Sequence, residues 1–263
     1  MQWGILTMSN IYEALEQAQR ERHDIQAKEI VVEPEKSPLE VGQLSDYIDE
    51  KSSGLQQIDI ATLYRNIDIL LPECPKRTIQ FISAQEGEGV STIVREMAIT
   101  AADHLGKKVL VLDAAHHNPT QHKLHNVRFD RGWHDIVKSG GTLKDACFST
   151  VNPNLYISPL ASSTKANPYF VDIQASVLFL DEVKKRFDLI LIDSAPATVA
   201  PDSIALSRYA DGVILVLEAE RTRWSAAENL RDRILKNGGT ILGVVFNKRR
   251  YHIPQRIYRW LYC

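Results

Sequence analysis

A strand, a turn with two glycines and a helix start follow one another in the segment TIQFISAQEGEGVSTIVREMA. The largely apolar residues 79–82 predict the strand, and Gly87 and Gly89 predict a tight turn after it. Ser91 and Thr92 then open a stretch with the apolar spacing of a helix. Such a unit directs the free N–H groups of a helix start at one point, where they can surround a phosphate. The chain is therefore expected to fold around a strand that ends in a phosphate-binding turn.

This turn lacks the lysine of the usual phosphate-binding loop. That loop reads G-x-x-x-x-G-K-[ST], and its lysine reaches the β- and γ-phosphates of a nucleotide. In the register that fits here, Ala84 takes the first position and Val90 stands where the lysine belongs. We predict a nucleotide site that keeps its backbone cradle but lacks one of its main charges. The residues predicted to line it are Gly87, Glu88, Gly89, Val90, Ser91 and Thr92.

Strand and helix patterns alternate along the chain from residue 56. The predicted strands are 78–83, 108–113, 155–158, 188–193, 212–218 and 241–247. The predicted helices are 56–71, 91–105, 132–138, 170–186, 202–209 and 224–236. Strands separated by helices imply parallel crossovers, so we predict an α/β fold with a doubly wound, mostly parallel sheet and helices on both faces. Asp113, Asp193 and Asn247 stand at predicted carboxyl ends of strands, where ligands of such sheets bind.

The chain divides into four predicted segments. Residues 1–22 contain an amphipathic helix, and residues 23–55 form a polar, charged linker with little core of its own. Residues 56–250 form the α/β domain, and residues 251–263 form a basic and aromatic tail. The amphipathic helix either packs on the domain or docks on a partner. The tail has three interpretations: a helix that covers the sheet, a contact with a membrane surface or a partner, or a phosphorylation site.

Composition argues against several classes of protein. A net charge of −2 speaks against general nucleic-acid binding, which usually needs a basic surface. The three cysteines are scattered without metal or disulfide spacing, which indicates a reducing cytoplasm. No apolar run approaches the roughly 18 residues of a membrane span, and the start MQWGILTMSN makes a poor signal peptide. Translation could begin at Met1 or at Met8.

A group of histidines follows the second predicted strand. Its members are His116, His117, His122 and His125. Such a group could ligate a transition metal. No cysteine or carboxylate stands beside it at a recognisable ligand spacing, which favours polar surface side chains over a metal site.

Five motifs occur in the order in which one known family has them: GEGVST, KKVLVLDA followed by NPT, FDLILIDSAP, ADGVILVLEAERT and ILGVVFNK. Together they resemble the cytoplasmic bacterial tyrosine kinases (BY-kinases) of capsule and exopolysaccharide synthesis, which belong to the MinD/ParA-like P-loop superfamily. The resemblance covers roughly residues 60–250, and the opening SNIYEALEQAQRER resembles the N-terminal helix of exopolysaccharide-associated members. It implies the P-loop NTPase fold, with ATP or ADP and Mg²⁺ as cofactors.

The resemblance also implies roles for single residues. Ser91 matches the Mg²⁺-binding hydroxyl, Asp193 matches the Walker B carboxylate, and Asn247 matches a residue that contacts adenine. Asp113 matches the first acid of the Walker A′ motif Asp-Ala-Asp-x-Arg-x-Pro, and Ala115 replaces the second acid. Catalytic roles are thereby implied for Asp113 and Asp193, and a metal site for Ser91, Asp113 and Asp193.

The chain departs from the family at positions that matter for catalysis. Val90 and Ala115 remove a cation and a carboxylate, and the loss of one preorganised charge contact lowers a rate by about 10²–10³. Glu86 stands where the MinD/ParA branch has its signature lysine. Candidate replacements for the missing cation are Arg95, Lys107 and His117. Whether the chain is an enzyme therefore stays open.

Three functions are compatible with this resemblance. The first, which we predict, is a nucleotide-binding and catalytically weak regulator of exopolysaccharide or capsule synthesis or export. It would dock on a membrane-bound polysaccharide co-polymerase or export protein. The second is an active tyrosine autokinase, with Tyr251, Tyr258 and Tyr262 as phosphoacceptors. The third is a MinD/ParA-like positioning ATPase.

Location and assembly follow from the same resemblance. The chain is predicted in the cytoplasm or at the inner face of the plasma membrane, where its tail would make a peripheral contact. Only Tyr64 and Arg65 match the helical motif with which the family builds a ring-shaped oligomer, and Asp68 stands near the position of its second arginine. A homo-oligomer is therefore left open.

Overall fold

One sheet organises the computed structural model, which describes residues 5–6, 54–115, 119–139, 141, 145–160, 173–200 and 202–249. Its strands are β1 Ile5–Leu6, β2 Arg77–Ser83, β3 Val109–Ala114, β4 Phe148–Ser149, β5 Leu155–Ser158, β6 Leu189–Ser194, β7 Gly212–Glu218 and β8 Ile241–Asn247. They lie in the order β1-β8-β7-β2-β6-β3-β5-β4. The six long strands pair in parallel, and β1 and β4 add antiparallel edges. The predicted mostly parallel sheet is confirmed.

Helices cover both faces of this sheet. They are α1 Gly54–Leu70, α2 Val90–Asp103, α3 Gln121–Leu124, α4 Trp133–Ser139, α5 Ile173–Lys184, α6 Asp202–Ala205 and α7 Trp224–Lys236, and the 3₁₀ turn Leu206–Tyr209 continues α6. α1 and α2 pack on one face, whereas α4, α5 and α7 pack on the other. The doubly wound architecture predicted from the sequence is therefore confirmed.

The central strands are apolar on both sides because both sides are covered. On β3, Val109 and Val111 belong to the core under α1 and α2, whereas Leu110 and Leu112 belong to the core under α4 and α5. Successive side chains of a strand point to opposite faces. A strand buried on both faces therefore appears in the sequence as an almost continuous apolar run.

The predicted boundaries agree closely with the structure. β5, β7, β8 and α7 have the predicted bounds, and α6 together with its 3₁₀ turn spans the predicted 202–209. The other predicted elements differ by at most three residues at either end. The sequence missed β1, β4 and α3, which are too short to give a periodic signal. The predicted N-terminal amphipathic helix and the tail lie outside the described residues, as does nearly all of the predicted linker. No helix in the described part of the chain combines the length and apolar character that crossing a bilayer requires.

Candidate functional site

The predicted phosphate-binding turn joins the carboxyl end of β2 to the start of α2. β2 lies between β6 and β7, with β3 beyond β6 and β8 beyond β7, so the strand order reverses at β2. Doubly wound sheets bind their ligands at this kind of position. Gly87 and Gly89 have φ angles of 80° and 95°. This left-handed region favours glycine, so the two glycines form the turn that the sequence predicted.

The carboxylate of Glu88 holds the turn in shape. Glu88 is only 2% exposed, and its Oε2 accepts a hydrogen bond from the Gln85 N–H at 2.9 Å. Its Oε1 accepts a hydrogen bond from the hydroxyl of Thr222, in the loop after β7. The Ser83 hydroxyl donates to the Gln85 carbonyl at 3.0 Å. The protein therefore fixes the shape of the turn with its own groups.

Two residues at the end of β8 contact the same turn. The Asn247 amide donates to the Glu88 carbonyl at 2.7 Å. The Lys248 ammonium donates to the Gly87 carbonyl at 2.5 Å and pairs with Glu218 Oε2 at 3.0 Å. Asn247 thus lies at the predicted site, and its contact with adenine stays a prediction. No sequence pattern marked Lys248, because its contact depends on how β8 ends beside the turn.

The close approach of Asn247 makes Gly89 more sensitive to substitution than Gly87. A Cβ at Gly89 would lie 2.0 Å from the Asn247 Nδ2, whereas a Cβ at Gly87 would meet nothing within 4 Å. Both positions have a left-handed backbone, which costs a residue with a Cβ about 1–2 kcal/mol. We expect Gly89→Ala to lower the midpoint of thermal unfolding clearly more than Gly87→Ala, the matched control. Equal midpoints for the two variants would contradict this account of the turn.

Two buried acids lie side by side at the end of β3 and β6. Asp113 and Asp193 are neighbours in the parallel register, and both are fully buried. Asp113 accepts hydrogen bonds at 3.1 Å from the N–H groups of Ala115 and Gln121. Burial and the nearby Asp193 raise the pKa of Asp113 to about 8. Burial raises the pKa of Asp193 to about 6, although the hydrogen bond from Gln121 and the nearby Ser91 hydroxyl lower it in part.

Trp133 supports this end of β3 from the sheet face that α4 and α5 cover. Its indole N–H donates to the Asp113 carbonyl at 2.8 Å, and its ring stacks on Phe179 of α5. The side chain is almost fully buried. The backbone that carries the acid is therefore anchored to the core.

The side chain of Gln121 connects the acids to the start of α2. Gln121 is fully buried, and its Nε2 donates to Asp193 Oδ2 at 2.7 Å and to the Ser91 carbonyl at 3.0 Å. Gln121 Oε1 and Asp193 Oδ1 are buried without a hydrogen-bond partner. The sequence did not indicate this residue, because α3 is a single turn whose position depends on the loop before it.

Val90 occupies the lysine position with an apolar, buried side chain. It is the first residue of α2, is 7% exposed and belongs to the core under α1 and α2. Ser91 beside it is half-buried, and Thr92 is exposed. Ala115, at the position of the missing second acid, is buried as well. At both departures from the family a buried apolar side chain thus stands where a charged one is expected.

The candidate replacements for the missing cation do not contact the turn in the described structure. Arg95 pairs with Glu96 on α2 at 2.5 Å. Lys107 precedes β3, so it lies at the amino end of the sheet, opposite the turn. His117 lies outside the described residues. Lys248 is a cation that does contact the turn, through the Gly87 carbonyl.

The two histidines in the described part of the loop, His122 and His125, are half-buried. His122 packs edge-on against Phe129, with ring centroids 5.1 Å apart. Burial lowers the pKa of His125 to about 4, so this half-buried side chain is neutral near pH 7. In the described part of the chain, no group of three or more His, Cys, Asp or Glu side chains could hold a metal. A cation at the acid pair would therefore need oxygen ligands from a phosphate or from water.

The residues of the partial ring motif have contacts within the chain. Tyr64 is buried in the core under α1, and Asp68 forms an ion pair with Arg77 at the start of β2. Arg65 is exposed. Two of the three side chains are thus engaged inside the protein, and oligomer formation stays a prediction.

Comparison with known proteins assigns the chain to a family. The AAA domain family (AAA_31) matches residues 76–237. CapB of Staphylococcus aureus is 26% identical over 205 residues, which are 77% of this chain and 88% of CapB. Tyrosine-protein kinase CpsD of Streptococcus agalactiae serotype III (strain NEM316) is 27% identical over 176 residues, which are 65% of this chain and 74% of CpsD.

Solved structures share the fold. The chimerical protein CapA2B2 has a TM-score of 0.68 and 23% identity, over 81% of this chain and 92% of that chain. The septum site-determining protein MinD from Pyrococcus horikoshii OT3, complexed with Mg-ADP, has a TM-score of 0.58 and 22% identity, over 71% and 77% of the two chains. The resemblance seen in the motifs is confirmed: the chain belongs to the AAA domain family, as a relative of the bacterial tyrosine kinases with the MinD/ParA-like P-loop fold.

Proposed function

We propose that this chain binds ATP or ADP with Mg²⁺ and regulates the synthesis or export of an exopolysaccharide or capsule, with weak catalysis of its own. One observation carries the proposal: the turn is complete and held in shape, yet the lysine position is filled by the buried Val90. A preformed turn supports nucleotide binding, because little ordering is needed when the phosphates arrive. The absent charge supports weak catalysis.

The residues of the site fit a nucleotide and its cation. The N–H groups at the start of α2 provide donors for phosphate oxygens. The Ser91 hydroxyl lies beside Asp193, whose Oδ1 is buried without a partner and is free to accept a cation. Mg²⁺ is usually held by one or two protein oxygens together with phosphate and water. When bound, the ion would neutralise charge on the phosphates.

The proposed weak catalysis of phosphoryl transfer follows from two residues. Phosphoryl transfer depends mainly on positioning and on neutralising the developing charge. Val90 cannot supply the cation that a lysine would, and Ala115 cannot supply a second carboxylate. Removal of one preorganised charge contact lowers a rate by about 10²–10³, so efficient transfer is not expected without both groups. Binding depends more on the backbone of the turn, which the chain retains.

We further propose that the protein acts by docking on a membrane-bound polysaccharide co-polymerase at the inner face of the plasma membrane. This rests on the family resemblance and on the sequence of the tail, in which Arg256 and Arg259 alternate with Ile257, Trp260 and Leu261. A segment of this composition suits a membrane surface or a partner groove. Bound nucleotide would then tune the shape that the partner recognises.

Calorimetric titration of the full chain with ATP and with ADP in Mg²⁺ tests the proposal. We expect micromolar to submicromolar dissociation constants for wild type, and at least a tenfold weakening in Gly89→Ala, since its new Cβ would displace Asn247 from the turn. Gly87→Ala serves as the control for backbone strain. No binding by wild type at millimolar nucleotide would overturn the proposal and leave a scaffold that acts through protein contacts alone.

The names of the relatives make an active tyrosine autokinase the second candidate. It predicts transfer of labelled phosphate from ATP to Tyr251, Tyr258 or Tyr262, which lie outside the described residues. Incubation with Mg²⁺ or Mn²⁺ and an activating partner separates the two functions. Stoichiometric label on these tyrosines would favour the kinase, whereas binding without label would favour the regulator.

A positioning ATPase would instead form dimers with ATP and lose liposome binding when residues 251–263 are deleted.

A further inference from the structure

Gln121 contacts three parts of the site at once. Its backbone N–H donates to Asp113 Oδ2 at 3.1 Å. Its side-chain Nε2 donates to Asp193 Oδ2 at 2.7 Å and to the Ser91 carbonyl at 3.0 Å. One residue of α3 therefore joins the ends of β3 and β6 to the start of α2.

The pattern of donors decides which oxygen of Asp193 is available. The amide of Gln121 engages Oδ2, whereas Oδ1 is buried and has no hydrogen-bond partner. A buried carboxylate oxygen without a partner is unfavourable unless something else satisfies it. Hard cations take oxygen ligands of this kind. The two oxygens of Asp193 thus differ: Oδ2 is bound by Gln121, and Oδ1 is the one that a cation can use.

The chemistry of an amide suits this position better than that of a basic side chain. A neutral N–H donor holds a carboxylate in place and leaves its charge uncancelled. A lysine or arginine would hold it too, but would compete with a cation for the same charge. Orientation of a metal ligand by a second hydrogen-bonded residue is a general device of metal sites.

We propose that Gln121 is the positioning residue of the cation site: it fixes Asp193 relative to Ser91, so that nucleotide binds more tightly with Mg²⁺ than without it. This inference rests on the proposed function, since it concerns the Mg²⁺ that accompanies the nucleotide. It predicts that loss of the Gln121 amide removes the effect of Mg²⁺ on affinity while metal-free nucleotide binding persists.

The chain contains a matched control for the loss of a buried glutamine. Gln80 on β2 is also fully buried, and its Nε2 donates to the Ser194 hydroxyl at 2.8 Å and to the Ser203 carbonyl at 2.7 Å. Its Oε1, like that of Gln121, has no hydrogen-bond partner. Gln80→Met and Gln121→Met therefore remove the same group from equally buried positions, and only Gln121 contacts Asp193.

Calorimetric titrations with ATP in Mg²⁺ and in EDTA test the inference on wild type and both variants. For wild type and Gln80→Met we expect affinity at least tenfold higher in Mg²⁺, and for Gln121→Met less than a twofold difference. Thermal unfolding of the two variants measures any common loss of stability. The ratio of the affinities in Mg²⁺ and in EDTA separates a positioning role from a merely structural one, because a loss of stability alone would not change this ratio.

The outcomes are distinguishable from failure of the proposed function. If Gln121→Met keeps the wild-type ratio, or if Gln80→Met loses the ratio equally, the inference is overturned. If wild type binds nucleotide equally in Mg²⁺ and in EDTA, the inference fails and nucleotide binding stands. If wild type binds nucleotide in neither buffer, both fail.

Discussion

Val90→Lys is expected to raise the affinity for ATP in Mg²⁺ by about tenfold to a hundredfold. A hydrogen bond to a charged group contributes about 1.5–3 kcal/mol, and each 1.4 kcal/mol is a factor of ten in affinity. Val90 is buried at the first position of α2, so the stem of a lysine can pack where the valine does and extend its ammonium towards the turn. Calorimetric titration against wild type measures the gain.

Val90→Met is the control for this prediction, because methionine gives an unbranched stem without the charge. A gain that Val90→Met shares would come from packing, and a gain limited to Val90→Lys would come from the ammonium.

Addition of Ala115→Asp to Val90→Lys restores both missing groups, and we expect this double variant to turn over ATP measurably. If the double variant changes neither affinity nor turnover, the register of the phosphate-binding turn is wrong.

The free energy of unfolding is expected to fall as the pH rises from about 6.5 to about 9. Burial and Asp193 raise the pKa of Asp113 to about 8, whereas an unfolded aspartate has a pKa of about 3.9. Between these values the folded chain binds more protons than the unfolded chain, so stability declines with rising pH and levels off above the folded pKa. One group with these values gives a decline on the order of 2 kcal/mol over this range. Urea unfolding at several pH values measures it.

Asp113→Asn isolates the contribution of the acid pair. The variant has no proton to lose at this position, so its free energy of unfolding should change less over the same range. An unfolded histidine has a pKa of about 6.5 and the pKa of folded His125 is about 4, so most of its effect on stability arises below this range. What remains of the histidine effect is shared by both proteins. An equal decline in wild type and Asp113→Asn would mean that Asp113 is ionised in the folded protein throughout this range.

The sequence predicted the sheet well because its central strands are buried on both faces. An apolar run such as KKVLVLDA needs no knowledge of its neighbours to be recognised as a strand. The two-residue strands β1 and β4 form only through their pairing with β8 and β5, so no local signal marks them. The helix predicted at 202–209 changes to a 3₁₀ turn after α6, and the apolar spacing of the sequence does not distinguish these two hydrogen-bond patterns.

The candidate site was predictable in part. The rule that ligands bind beyond the carboxyl ends of parallel strands brought Asp113, Asp193 and Asn247 to one edge, where the structure has them. The tertiary contacts of Gln121 and Lys248 could not be predicted, because each joins segments far apart in the sequence. The sequence also showed that Val90 removes a charge, but not that its side chain belongs to the core.

The anchoring of Trp133 to the Asp113 carbonyl gives the protein an intrinsic optical probe. An indole that is buried and hydrogen-bonded to the backbone of the acid pair should change its emission when that backbone moves. The chain has four tryptophans, and replacing Trp3, Trp224 and Trp260 by phenylalanine would leave the emission of Trp133 alone. Stopped-flow fluorescence of this variant could follow the arrival of nucleotide and cation in real time, without any attached dye.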